Sequence, residues 1–262
     1  MTIADQITPM VLTYNEEANI ARCLDRLTWA QRILIVDSGS TDGTLDIASK
    51  YPQVCIEQRP FDDFASQCNF GLSRISTPWV LSLDADYELS PELVEEIRAL
   101  APGPHAGYEA AFIYRIYGKP LRGTLYPPRT ILYLKDRAAY QNEGHGHRVI
   151  VQGSVGRLRG RVYHDDRKPL ARWFFSQQKY AQVEAAHLLA SPSSRLNRAD
   201  RIRRMAWPAP ILVFFYTLIA KRCILDGWAG WFYVLQRTIA EVMIALELVD
   251  KRLQSSRRKP GH

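Results

Sequence analysis

The chain has 262 residues, 47% of them hydrophobic, with a formal net charge of +7 and a sequence pI of about 9.3. That length suits one large α/β domain with a smaller appendage and excludes a marginal mini-fold. The positive balance favours anionic partners: nucleic acid, phosphate-bearing substrates or an acidic membrane surface. The four cysteines (Cys23, Cys55, Cys68, Cys223) are scattered without a C-x-x-C pair, so they imply neither a disulfide framework nor a metal site and read as reduced, mostly buried thiols.

Met1 to Thr8 carries Asp5 and has no basic n-region or long apolar run, so no signal peptide is expected and the catalytic part is placed in the cytoplasm. Thr8–Thr13 predicts a first strand, and Asn15 is placed to cap a helix over Glu16–Leu27. Arg32–Asp37 is a β-rich apolar run suited to a buried parallel strand. A turn at Ser38–Gly43 leads to a helix over Thr44–Tyr51, a strand over Val54–Gln58 and a helix over Phe64–Ile75. The run Trp79–Leu83 predicts a fourth strand that enters Asp84-Ala85-Asp86, and Pro91 starts a helix over Glu92–Leu100. Strands alternating with helices imply βαβ units and a mostly parallel sheet. The polar clusters all follow strand ends, where open sheets of this kind bind ligands. From Ala110 to His164, short apolar runs (Ala111–Ile116, Ile131–Leu134, Val149–Val151) predict partly antiparallel strands that build an acceptor side. Leu170–Leu189 is helical again, and Ser191 to Ser194 (SPSS) reads as a boundary. The expected domains are 1–192, divided into halves 1–103 and 104–192, and a basic, aromatic-rich helical segment over 193–262.

Asp84 and Asp86, two carboxylates one residue apart at a strand end, can hold a divalent hard cation and a ribose hydroxyl. The bland alternative is a helix cap ahead of Ser90-Pro91. In Val36–Gly43, Gly39 permits close backbone approach to a ligand and Asp37 can accept from a base N–H. The same segment is also a good β-turn and N-cap, with Asp42 the more structural member. Thr13 to Glu17 (TYNEE) is either part of the pocket or a helix start.

The order LTYNEE, IVDSGSTDGT, WVLSLDAD closely resembles family 2 inverting glycosyltransferases of the GT-A fold, and more narrowly bacterial enzymes related to lipopolysaccharide-core β-glucosyltransferases. A looser likeness continues through Gly153–His164 and Asp226 to Gly230. The resemblance implies a Rossmann-like, mostly parallel sheet flanked by helices, and transfer of a sugar from a nucleoside-diphosphate donor to a lipid-linked or cell-envelope saccharide, assisted by Mg²⁺ or Mn²⁺. It implies that Thr13, Tyr14, Asn15 and Glu17 line the nucleotide pocket with Gly39, that Asp37 holds the base, Asp84 the ribose side and Asp86 the metal, and that His164 lies near the diphosphate or metal. The chain departs from relatives in having Tyr87 and then Glu88 after the D-x-D, and Asn142 to Arg148 (NEGHGHR) where many have a His-Glu pair. An inverting transfer needs a base for the acceptor hydroxyl. Glu143 is favoured narrowly over His147, with His145 a further candidate and Asp165 and Asp166 as outsiders.

Five arginines lie between Arg195 and Arg204. Trp207–Ala220 follows without a charge, then Lys221-Arg222, and Gly227–Leu235 carries Trp228, Trp231, Phe232 and Tyr233. Each apolar run is shorter than the roughly 20 residues a spanning helix needs. Aromatics flanked by basic residues suit helices lying on an anionic membrane surface, which places the protein peripherally on the inner face of the cytoplasmic membrane. A hairpin buried against the catalytic domain and a re-entrant pair are the alternatives. The basic residues flank an apolar stretch rather than a polar stacking face, which argues against nucleic acid. Competing functions are a sugar nucleotidyltransferase, against which stands the lack of a Gly-rich phosphate loop, and a catalytically silent membrane scaffold.

Overall fold

The computed structural model of the chain describes residues 2–143 and 146–257, with the backbone alone at Glu143, His147 and Arg257. Two compact units result: Met1–Gly118 with Tyr126–Lys168, and Lys119–Leu125 with Pro169–His262.

In the first unit β1 (Ile7–Thr13), β2 (Ile33–Asp37), β3 (Val54–Gln58) and β4 (Trp79–Asp84) are parallel neighbours. The crossovers carry α1 (Ile20–Asp25), α2 (Thr44–Ala48) and α3 (Phe64–Ser73). β1 and β2 are buried on both faces, which is why they read as nearly continuous apolar runs. Ile7, Val11, Ile33 and Ile35 pack with Ile20 and Leu24 of α1, whereas Met10, Leu34 and Val36 pack with Cys68 and Leu72 of α3. Pro9 has no N–H to give to a central strand; pairing of β1 with β2 runs from Met10 onward, one residue later.

The chain continues through β5 (Tyr87–Leu89), α4 (Pro91–Arg98), β6 (Gly107–Ile116), β7 (Lys119–Pro120, in the second unit), β8 (Arg129–Leu134), β9 (Ala138–Glu143), β10 (Gly146–Val151) and β11 (Val155–His164). The main sheet has the order β3-β2-β1-β4-β8-β6-β11-β5. β8 is antiparallel to β4 and β6, and β11 is parallel to β6 and antiparallel to β5. β9 and β10 form a separate antiparallel pair on α3. The fold is thus the expected α/β sheet with a mixed second half.

Two local expectations need correction. The helix expected over Glu16–Leu27 is confined to Ile20–Asp25, and Asn15 does not cap it. Asn15 takes a left-handed backbone (φ 54°) that no helix start adopts, and its side chain bonds across to the next loop. The helix after Pro91 is correctly placed, but β5 before it was not foreseen. Three residues directly after a turn carry too little pattern to be read.

The second unit is helical: α5 (Leu170–Ala190), α6 (Arg198–Arg204), α7 (Pro208–Phe215) continued by a π-helical turn (Tyr216–Ala220), a 3₁₀ turn (Cys223–Asp226) and α8 (Gly227–Arg257). Ala185, Leu188, Leu196 and Leu248 form part of its core.

β11 meets α4 at Gly160. A Cβ there would lie 2.4 Å from the Leu93 Cα, and the Gly160 N–H donates to Glu96 Oε2 at 2.9 Å. Backbone cannot yield as a side-chain tip does. Gly160→Ala is expected to lower stability by about 1–3 kcal/mol, as overpacking does, read as a lower urea midpoint with an unchanged slope.

Candidate active site

The loops after β1 and β2 are laced together by each other's polar groups. Ser38 N donates to the Thr13 carbonyl at 2.9 Å, extending the β1–β2 ladder by one bond. Beyond it the strands diverge and their N–H groups need other acceptors. Asn15 N donates to Ser40 Oγ (2.8 Å), Glu16 N to Thr44 Oγ1 (2.7 Å) and Glu17 N to Asp42 Oδ2 (3.3 Å). In return Thr41 N donates to Asn15 Oδ1 (2.7 Å) and Gly43 N to Glu17 Oε2 (3.2 Å). Asp42 Oδ1 also accepts from the Thr44 N–H and hydroxyl, the local work expected of it.

Asp37 lies at the centre of this lacing and is fully buried. Its Oδ1 accepts from Thr13 Oγ1 (2.9 Å) and Ser40 Oγ (2.5 Å), and its Oδ2 from Gly39 N and Ser40 N (both 2.9 Å). Four bonds occupy the acceptor positions of the carboxylate within the two loops. Its geometry is that of a group shaping the turn. Gly39 has φ +87° and open space where a Cβ would be, as close backbone approach to a ligand requires. Tyr14 is half exposed at the same edge.

The D-x-D occupies the sharp turn from β4 into β5. Asp84 closes β4 beside Leu12, and its carboxylate makes no hydrogen bond or ion pair among the described residues. The helix-cap alternative for this pair fails, because Ser90 caps α4 by accepting from Leu93 N. Antiparallel pairing of β5 with β11 sets Tyr87 opposite His164, which brings the preceding Asp86 against the imidazole. His164 Nε2 donates to Asp86 Oδ2 at 3.0 Å. Asp86 Oδ1 and His164 Nδ1 are buried and have no partner among the described residues. Burial works against ionising Asp86, but the charge and hydrogen bond of His164, with the charge of Lys168, hold its carboxyl down at about 2. Burial likewise works against charging His164, and the neighbouring Asp86 outweighs it, so the imidazole is raised above its ordinary value. The rings of Tyr87, Tyr114 and Tyr126 enclose the histidine at centroid distances of 5.2, 4.6 and 5.0 Å.

Residues just beyond β11 fold back onto the first loop. Lys168 Nζ donates to Glu16 Oε1 at 2.5 Å, and Asn19 bridges Glu16 Oε2 (2.8 Å) and Asp166 Oδ1 (3.2 Å). Asp165 is wholly buried; its Oδ2 accepts from Arg22, Arg167 and the Gly118 N–H. Asp165 and Asp166, the outsiders for proton removal, are thus both engaged in fastening these segments. Glu88, one residue past Tyr87, faces Arg26, Arg115 and Arg22 at 2.9, 3.6 and 3.9 Å.

Sequence reasoning did not single out Lys168, Asn19, Tyr126 or Arg129, and it took Glu16 only as a member of the Thr13–Glu17 cluster. Arg129 stacks its guanidinium on Tyr126 at 4.5 Å, and its charge is felt by Tyr87, Asp84 and Asp86. Only the proximity of Lys168 to His164 in sequence could have pointed to any of them. The side chains of Glu143 and His147, and all of His145, lie outside the described residues. The backbone pairs Glu143 with Gly146 and Asn142 with His147, at the end of the pair where β9 leads into β10.

Two outcomes follow. Asp37→Ala leaves the Gly39 and Ser40 N–H groups and two hydroxyls without their acceptor at a partly buried turn, so it should cost about 1–3 kcal/mol in folding stability, with any loss of donor affinity accompanied by that loss in a denaturant titration. Burial raises Glu16 from 4.5 to about 7 against the pull of Lys168. The folded chain therefore favours the protonated acid, and the stability this contributes is full below the unfolded value and lost as pH rises through about 7. The melting temperature of the wild type relative to Glu16→Gln should fall across that window; a constant difference would contradict it.

A family model described as glycosyl transferase family 2 matches residues 10–162. The lipopolysaccharide core biosynthesis glycosyltransferase LpsC of Rhizobium meliloti (strain 1021) is 27% identical over 240 residues, covering 85% of each chain. An uncharacterized glycosyltransferase of Rickettsia conorii is 29% identical, covering 97% of this chain and 93% of its own. Among solved structures, the mannosyltransferase PcManGT of Pyrobaculum calidifontis superposes with a TM-score of 0.51 at 15% identity, over 95% of this chain and 87% of that one. The match spans both strand-end loops, the D-x-D and nearly all of β11, which sets aside the nucleotidyltransferase reading: the chain belongs to glycosyl transferase family 2 and its activity is glycosyl transfer.

Proposed function

We propose that the chain transfers a hexose from a nucleoside-diphosphate sugar to a saccharide acceptor, with inversion at the anomeric carbon. The observation that carries this is the Asp86–His164 pair, formed between a D-x-D turn and the end of β11, with one buried atom on each residue that meets no partner among the described residues. The neighbour PcManGT is described in complex with GDP-Man and Mn²⁺, which supports a donor of the same class.

The donor set fits Mg²⁺ or Mn²⁺. Among the described residues no three His, Cys, Asp or Glu side chains gather as a closed cage. A hard cation in such enzymes takes one or two carboxylates and leaves its other positions to phosphate oxygens. Asp86 and His164 would hold it, with Asp84 beside them; once bound, it would offset the charge growing on the departing diphosphate. The chain's own groups do the rest in this reading. Gly39, Tyr14 and the loop of Thr13, Asn15 and Glu17 form the edge on which the nucleotide lies, with Asp37 holding that edge in shape. Asp84 takes the ribose side. Arg129, stacked on Tyr126, adds a fixed positive charge near the carboxylates. Glu143, or His147 across the same strand pair, removes the proton from the acceptor hydroxyl as that oxygen attacks opposite the diphosphate.

The relative LpsC is named for lipopolysaccharide core biosynthesis. That name supports a lipid-linked, cell-envelope saccharide as acceptor and a peripheral position on the inner face of the cytoplasmic membrane. In this reading, the catalytic domain is 1–192, with halves 1–103 and 104–192, and 193–262 is the membrane-facing segment.

The test is a screen of nucleotide sugars by thermal shift with and without Mn²⁺, followed by transfer assays. A ligand that binds only the folded chain raises its melting temperature. Asp86→Asn should keep the fold and lose at least about 100-fold in turnover, as removal of a charge-stabilising group does; near wild-type turnover with ordinary metal dependence contradicts the assignment. For the base, Glu143→Gln and His147→Asn are compared by pH–rate profile. The variant that loses both rate and the acidic limb identifies it.

A further inference from the structure

The second unit exposes a run of large apolar side chains. We propose that residues 205–235 seat the chain in the interfacial layer of an anionic bilayer by insertion of an apolar hairpin, with arginine–phosphate contacts secondary. This deepens the membrane reading above by naming the segment and the force.

The hairpin is a built element. α7 and its π-helical continuation end at Ala220, and the chain reverses through Arg222 (φ 58°) and Gly227 (φ 60°) into α8. Gly230 lies so close to the Cys223 carbonyl that a Cβ would stand 1.8 Å from its oxygen, which locks the turn against α8. Inside, Thr217, Leu218, Cys223, Ala229, Tyr233 and Val234 are buried. Outside, Trp207, Ile211, Phe215 and Ile219 recur every four residues and make one stripe; each is more than half exposed. Trp228, Trp231 and Leu235 make a second stripe on α8, also exposed. Soluble monomers rarely leave such a patch bare, and tryptophan on helices beside basic residues suits the headgroup boundary.

Charge selects the occupant. From Arg201 to Leu246 the acids are Asp226 and Glu241, and both are buried. Asp226 accepts from the Arg122 N–H and faces its guanidinium at 3.3 Å; Glu241 clasps Arg203 at 2.8 Å. The outward charge of the hairpin is therefore positive, with Lys221 and Arg222 at its turn. That suits an anionic surface and opposes a second copy, which would bring like charges together.

The same bonds change the balance expected from sequence. Arg203 is bound to Glu241, Arg204 donates to the Ser191 carbonyl and Ser193 Oγ, and the Arg201 Nε donates to the Leu196 carbonyl. These three were expected among the headgroups and are instead committed within the unit, so apolar burial leads. Among the described residues no single helix is long and apolar enough to cross a membrane; Pro208–Ala220 and Cys223–Ser256 meet that length and composition only together, bent by 65°. At about 1.5 Å per residue, the first arm is too short for a hydrocarbon core of roughly 30 Å. A shallow, one-leaflet seat follows.

The test is cosedimentation of the full chain with vesicles of phosphatidylcholine and phosphatidylglycerol across a salt series. The bound fraction should fall less than about threefold up to roughly 0.5 M salt, where surface electrostatics are screened. Ile211→Asn with Phe215→Asn should weaken binding at least about tenfold without moving the thermal melt, since both side chains are exposed. Lys221→Gln with Arg222→Gln should change it less. Tryptophan emission should shift to the blue on adding vesicles. Full release by salt, with the asparagine variant binding as wild type, overturns the insertion and leaves the membrane reading standing. No vesicle binding at any salt, with a concentration-dependent dimer that the asparagine variant abolishes, overturns both in favour of a second copy. Glycosyl transfer to a soluble acceptor in the asparagine variant is expected to persist, which keeps these outcomes separate from the catalytic proposal.

Discussion

The site depends on one constraint: backbone N–H groups that run past the end of a parallel sheet must still find acceptors. β1 and β2 share ladder bonds only as far as Ser38 N and the Thr13 carbonyl. Beyond that point each loop supplies what the other lacks, and Asp37 accepts four bonds where the two meet. A buried polar group left unmatched there would cost more than the bond it replaced contributed. The lacing therefore explains why short polar residues crowd these two loops. It also explains why Asn15 adopts a left-handed backbone: that conformation turns Oδ1 toward Thr41 N while its own N–H meets Ser40.

The second constraint is electrostatic. Glu16, Asp84, Asp86, Asp165 and Asp166 come from three separate segments, and gathering so many acids would be unfavourable without compensation. Lys168, Arg22 and Arg167 provide it, each reaching a carboxylate from a segment distant in sequence or from the loop after β11. Arg26 and Arg115 do the same for Glu88. The ion pairs thus do more than fasten the return of the chain after β11. The charge of Lys168, with His164 as the immediate partner, also favours the ionised form of Asp86 against its burial.

Much of the sheet was legible in the sequence because parallel, doubly buried strands announce themselves. Val54–Gln58 was read to the residue, and β1, β2 and β4 to within one. The D-x-D and His164 were legible as chemistry and by family resemblance, and their contact follows from a strand pairing that no local pattern encodes. Asp37 shows what the pattern left out. An acid at a strand end before a glycine looks like a ligand contact, and only the hydrogen bonds reveal that it also ties the two loops together. Lys168 was invisible for a related reason: a lone lysine has no periodicity, and its partner Glu16 lies 152 positions away. The arginines near residue 200 read as a free basic patch, because sequence does not reveal that Glu241 comes back along α8 to meet one of them.

The β9–β10 pair stands apart from the main sheet, and its attachment is lopsided. At its root Tyr140 is buried, its hydroxyl bonded to Tyr133 and Ser82, and Asn69 of α3 clasps its backbone on both sides. Asn142, two residues on, adds a bond to Asp63 and one from Ala65 N. Glu143 comes next, about 10 Å along the strand from the Tyr140 anchor at 3.3 Å per residue. The backbone is held one residue before Glu143, by Asn142, and again at Tyr140, by Asn69. The proposed proton acceptor would thus be aimed from α3, an element of the donor-side βαβ framework, through a pair of asparagines. Loosening Asn69 would leave every proposed reacting group in place and still spoil their alignment.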